Sequence, residues 1–139
     1  MSRHDEWTPG MDSGEVLVHH KTLETFVTET FQAVGMRQPD AAFHARALVE
    51  SNLRAHDAHG VLRLPHYLRR IAVGAINPRP SIQTIKGSAG LEVIDGDDGP
   101  GFLVGRDAML RAIALAETFN IGAVGVVRSN HFGVAALYA

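Results

Sequence analysis

The stretch that most restricts the fold is Ile121–Val127, I-G-A-V-G-V-V, an almost continuous apolar run. A short run of this kind, without polar alternation, reads as a strand covered on both faces. A long amphipathic helix precedes it, with Ala108, Met109, Ala112, Ile113, Ala116 and Phe119 on one side. Further upstream, Ile82–Ile85 and Leu91–Ile94 read as two strands separated by a Gly-Ser-Ala-Gly turn at 87–90. Strands and helices in this order give an α/β class.

Residues before 80 follow another pattern. From Thr22, the positions Leu23, Phe26, Val27, Thr30, Phe31 and Val34 recur at helical spacing, and Gly35 is a natural stop. A second helix starts near Pro39 and carries Ala42, Ala45, Leu48, Val49, Asn52 and Leu53, ending near Ala55. A third runs from about Val61 to Val73, with Pro65 tolerated because it lies near the start. Glu15–Val18 reads as a short strand, Asp95–Gly101 as a loop, and Gly133–Ala139 as the start of another helix. Asn77-Pro78-Arg79-Pro80 marks the change of composition. The expected division is a flexible polar tail over 1–15, a mainly helical region over 16–80, and an α/β region over 81–139.

Composition removes several functions. With no cysteine, disulfides, thiolate catalysis and cysteine-ligated zinc are excluded. A net charge of -2 with scattered basic residues argues against a nucleic-acid surface. The first fifteen residues lack the apolar core of a secretory signal. No apolar run approaches the roughly 18 residues that span a bilayer. A cytoplasmic protein is expected.

Chemistry concentrates at two junctions. Residues 54–63, R-A-H-D-A-H-G-V-L-R, place two histidines, Asp57 and two arginines around Gly60, between two helical patterns. His59 and Arg63 are four apart and can face one side. An imidazole moves protons near neutral pH, and a guanidinium grips a carboxylate with two N–H groups. On spacing alone, helix capping by His56, Asp57 and His59 is the more ordinary reading. The second junction, S-N-H-F-G at 129–133, follows the apolar run, at the strand end where open α/β sheets collect ligands.

Other patterns weigh less. His56 and His59, with His66, lack a converging third and fourth metal ligand, so no metal is expected. His4, His19 and His20 read as surface residues, and His44 as a solvated one. Gly99-Pro100-Gly101-Phe102-Leu103-Val104-Gly105 has the wrong glycine spacing for a dinucleotide fingerprint and reads as a tight turn. Asp95, Asp97 and Asp98 lack the pattern of a calcium loop.

Five pieces, F-V-T-E-T-F-Q-A-V-G-M, L-R-A-H-D-A-H-G-V-L-R-L-P-H-Y, G-A-I-N-P-R-P, V-I-D-G-D-D-G-P-G and V-R-S-N-H-F-G, occur in order across residues 16–139. Together they resemble the malate/L-lactate dehydrogenase family of non-Rossmann oxidoreductases. The resemblance implies a helical region beside a three-layer α/β cofactor-binding domain of the sulfolactate dehydrogenase type. It also implies a homodimer that acts on a 2-oxo or 2-hydroxy acid with NAD or NADP. By the same resemblance His59 is the proton donor and Arg63 holds the substrate carboxylate. The segment His131, Phe132, Gly133, Val134 and Ala135 then meets the cofactor, with His131 a second acid–base candidate. Ala58 stands where most members have serine. Family chains are more than twice this length. The resemblance therefore implies a truncated amino-terminal portion, inactive alone, lacking the rest of the cofactor pocket and a carboxylate that partners the histidine. The alternative is a non-catalytic binding or assembly module with that fold.

Overall fold

In the computed structural model, which describes residues 16–135, three helices close by one device. Helix α1, His20–Ala33, begins where His19 Nδ1 accepts the Lys21 N–H at 3.3 Å. It ends at Gly35, φ +99, whose N–H meets Gln32 O while the Met36 N–H meets Phe31 O. This pair of bonds satisfies carbonyls that the helix leaves open and needs a left-handed residue. Helix α2, Gln38–Leu53, has Pro39 in its first turn and closes the same way around Ala55, at φ +57. An alanine there carries a cost of roughly 1–2 kcal/mol. Helix α3, Leu64–Ala72, closes at Gly74, φ +72.

The third helix is shorter than expected. Asp57–His59 and Val61–Arg63 are separate 3-10 turns that meet at Gly60, whose extended backbone (φ -90, ψ -155) interrupts the helical path. Residues 16–19, read in part as a strand, are irregular and exposed, while residue 15 and the tail over 1–15 lie outside the described residues.

The helices pack around Val27, Phe31, Ala41, Ala45, Leu48, Tyr67 and Ile76, all at most 1% exposed. Such burial is worth about 1.5–3 kcal/mol per large side chain. His44, expected in solvent, is instead 1% exposed. It shares the inward face of α2 with Ala41 and Leu48, three and four residues away, and its ring lies against Phe31, Tyr67 and Phe102.

Strand β1, Gln83–Ser88, pairs antiparallel with β2, Leu91–Gly99, through a turn at Gly90. Helix α4, Gly101–Phe119, then crosses to β3, Ala123–Ser129, which lies parallel to β2. The sheet order is β1-β2-β3. The loop expected over Asp95–Gly101 is largely strand, with an irregular register between Asp95 and Gly99. Asp97 and Asp98 there adopt positive φ, and Arg128 ties Asp95, Asp97 and Asp98 together at 3.0, 3.4 and 2.7 Å. The Ser81 N–H, the Arg128 charge and Asn77 hold the Asp97 carboxyl below its usual range.

The sheet core is small: Ile94, Val104 and Ala108, with Ile82 and Val124 packed against it. Strand β3 departs from the double-sided burial that its composition suggested, with Val126 39% and Val127 44% exposed. Helix α4 packs on the sheet, and no described residue covers the rest of β3. Residues 131–134 are irregular, and most of the helix expected over 133–139 lies outside the described residues. No helix among the described residues is long and apolar enough to cross a membrane.

Candidate active site

The two junctions picked out in the sequence meet in space. His59 ends the first 3-10 turn and Arg63 ends the second, so Gly60, and no continuous helix, sets their relation. The His59 ring stacks on that of His131, with centroids 5.7 Å apart and planes 19° from parallel. His131 reaches this place because α4 begins directly beneath it. A Cβ on Gly101 would lie 2.3 Å from Asn130 O and 2.5 Å from His131 C, so only glycine leaves room for that backbone. Asn130 fixes the approach, donating from Nδ2 to Asp98 O at 2.7 Å and accepting from Arg70 Nη2 at 2.9 Å.

Tyr67 joins the site from α3, its hydroxyl 3.0 Å from His131 Nδ1. That bond leaves the Nε2 edge of His131 for other partners and makes one of its tautomers the better donor or acceptor. Partial desolvation lowers the His131 pKa, and the nearby Arg63, His59 and His66 lower it further. His131 is therefore biased towards the neutral form. Arg63 uses Nε on Ala58 O at 2.7 Å. Its terminal amino groups make no hydrogen bond among the described residues, and they form the fork that a carboxylate can take.

The remaining expected site residues separate from this group. Phe132 and Ala135 line a cleft of about 510 Å³ together with Gly105, Val126, Arg128 and Ser129. Gly133, at φ +57, lies against Phe102, where a Cβ would come within 2.1 Å of the ring. The 131–135 segment thus divides, with His131 facing His59 and Phe132, Gly133 and Ala135 turned to the α4–β3 side. No group of three or more His, Cys, Asp or Glu side chains among the described residues is placed to hold a metal.

Sequence reasoning missed Asn52, Tyr67 and His44. Asn52 counted only as a helix position, although its amide holds the 57–61 turns. His44 falls at core spacing with Ala41 and Leu48, a signal that outweighed its polarity.

Comparison with known proteins identifies the family and the fold. Residues 18–139 match the family model described as malate/L-lactate dehydrogenase. The L-sulfolactate dehydrogenase of Methanocaldococcus jannaschii is 36% identical over 113 residues, covering 81% of this chain and 33% of that one. The solved malate dehydrogenase of Pyrococcus horikoshii is similar with a TM-score of 0.87 and 35% identity, over 95% of this chain and 38% of that chain. A more distant relative, the (2R)-3-sulfolactate dehydrogenase (NADP(+)) of Chromohalobacter salexigens, is 29% identical over 119 residues, 86% of this chain and 35% of that one. The chain spans about a third of the length of these relatives.

Proposed function

The chain belongs to the malate/L-lactate dehydrogenase family, and on that premise we propose that it carries the proton-transfer and carboxylate-binding part of a 2-hydroxy acid dehydrogenase. The observation that supports this best is the stacking of His59 on His131 beside Arg63, from two distant segments. The reaction converts a 2-oxo acid to a 2-hydroxy acid with a reduced nicotinamide, NADH or NADPH, consuming one proton. When bound, the nicotinamide supplies the hydride that reaches the carbonyl carbon. Arg63 holds the substrate carboxylate through its terminal N–H groups. Protonated His59 gives its proton to the carbonyl oxygen as negative charge develops there, and neutral His59 takes it back in the reverse direction. His131, biased neutral and oriented by Tyr67, holds the far face of the His59 ring.

The residues present fit one end of the cofactor. Phe132, 55% exposed at the cleft, offers a flat apolar ring to a planar heterocycle. The pyrophosphate finds no such fit: Arg128 is engaged by three aspartates, and the start of α4 is filled by the backbone of 130–131. The 139-residue chain alone is therefore expected to bind nicotinamide cofactor weakly and to lack robust turnover. We divide it near residue 80 into a substrate-binding helical region and the first part of a cofactor-binding region. A cytoplasmic homodimer rests on the resemblance.

A second reading, a non-catalytic assembly module, draws on the exposed Leu110 and Ile113 of α4, Ile121 of the following connection and Val127 of β3. One experiment separates the two. In an active enzyme containing this sequence, His59→Ala should reduce turnover roughly 10²–10⁴-fold with little change in cofactor affinity. Arg63→Ala should mainly raise KM for the 2-oxo acid. Equal activity of the His59→Ala protein, or a nearly silent His59→Ala beside a dead His131→Ala, would refute the assignment.

A further inference from the structure

His59 sits on a short non-helical segment, so something other than a helix must fix its ring. The backbone of that segment bonds locally, His59 N–H to His56 O at 2.9 Å and Gly60 N–H to Asp57 O at 3.0 Å. These bonds shape the turn but do not tie its far end to α2. The Asn52 side chain does. Its Oδ1 accepts the Val61 N–H at 2.8 Å, and its Nδ2 donates to Asp57 Oδ1 at 2.6 Å. One amide thus grips residues 57 and 61, with His59 midway between them.

The space for this amide comes from Gly60. A Cβ at Gly60 would lie 2.2 Å from Asn52 Oδ1, so a side chain there would displace the amide that holds the turns. Two independent features, an amide bonded on both sides and a glycine that leaves room for it, point to the same element. The chemistry also favours an amide at 52. A carboxylate could accept from Val61 but would face the Asp57 carboxylate, whereas alanine would make neither bond.

We propose that Asn52 is a positioning residue for proton transfer: its amide locks the 57–61 turns so that the His59 ring stays stacked on His131 with Arg63 alongside. The catalytic consequence rests on the dehydrogenase reading above, while the geometric consequence does not.

The test uses the full chain and four forms: unsubstituted, Asn52→Ala, Asn52→Asp, and the exchange Asn52→Asp with Asp57→Asn. The exchange reverses the donor and acceptor while keeping the Val61 bond. Circular dichroism checks that each form is folded. Hydrogen exchange at the Val61 amide reads the lock, and the nuclear Overhauser effect between the His59 and His131 rings reads their stacking. Titration with malate, followed at His59, reads ligand binding.

Asn52→Ala, which removes the acceptor, and Asn52→Asp, whose carboxylate the Asp57 carboxylate repels from Val61, should speed Val61 exchange about tenfold or more, the equivalent of one lost hydrogen bond, and lose the ring-to-ring signal. The exchange should recover both, and with them the malate response. Should Asn52→Ala fail to fold, the contrast between Asn52→Asp and the exchange decides. The proposal falls if the ring signal is absent from the unsubstituted chain, survives in Asn52→Asp, or stays lost in the exchange. Malate binding lost with the ring signal intact would make Asn52 a ligand contact and also overturn it. If no form responds to malate but the ring signal follows the expected pattern, the positioning proposal stands and the substrate reading fails.

Discussion

The helical region and the sheet region use apolar residues in opposite ways. Phe31, Leu48 and Tyr67 lie in a core that, among the described residues, draws only Phe102 and Leu103 from beyond residue 80. The sheet, among the described residues, buries only Ile94, Val104 and Ala108 within its own cluster and leaves most of β3 exposed. The histidine pair spans the boundary, with His59 on the well-packed side and His131 on the other. On the function proposed above, rigidity for proton transfer comes mainly from the helical half.

Truncating the two regions should give unequal losses. Phe31→Ala should cost about 3–5 kcal/mol, as expected for a fully buried aromatic, while Val127→Ala should stay within about 0.5 kcal/mol. Denaturant titration of both variants measures the contrast; similar losses would show that β3 is covered after all.

A second difference appears in acid. Burial, followed by the charge of nearby His131, lowers the His44 pKa from 6.5 to about 3. As pH falls below 6.5 the unfolded chain takes up this proton before the folded one. The stability that neutral His44 contributes is complete above that pH and is lost towards pH 3, at up to about 1.4 kcal/mol per pH unit. Urea midpoints from pH 7 to 4 should fall more steeply for this chain than for His44→Phe. Equal slopes would mean that His44 reaches solvent.

The smallest effect sharpens the view of the helical half. Two of its three similar helix closures use glycine, at 35 and 74, and the third uses Ala55 at φ +57. Ala55→Gly should raise stability by roughly 0.5–1 kcal/mol, the left-handed cost relieved less the added chain entropy. A melting temperature that stays level or drops would mean that the Ala55 methyl makes a compensating contact.

Much of the helical half was legible because its faces bury against one another, so helical spacing and burial carry the same signal. Gly35 also kept its expected role as the stop of α1. The sheet was legible in type but not in burial. The run at 121–127 has the composition of a doubly covered strand, yet no described residue supplies the second cover. Within the site, spacing suggested that His59 and Arg63 share a face, but an amide nine residues before Val61 and a gap at Gly60 set their placement. Periodicity carries no trace of such side-chain-to-backbone ties. The pairing of His131 with Tyr67 was beyond local reasoning altogether, because it joins residues 64 apart.

That separation matters during synthesis. At ribosomal speeds of about 5–20 residues per second, roughly 3–13 s pass between addition of Tyr67 and addition of His131. Through that interval the growing chain already holds the arginine fork and the first imidazole, with the second imidazole still unmade. The His59–His131 stack thus waits until α4 and β3 have been made, and a stall anywhere in either leaves His59 and Arg63 without His131.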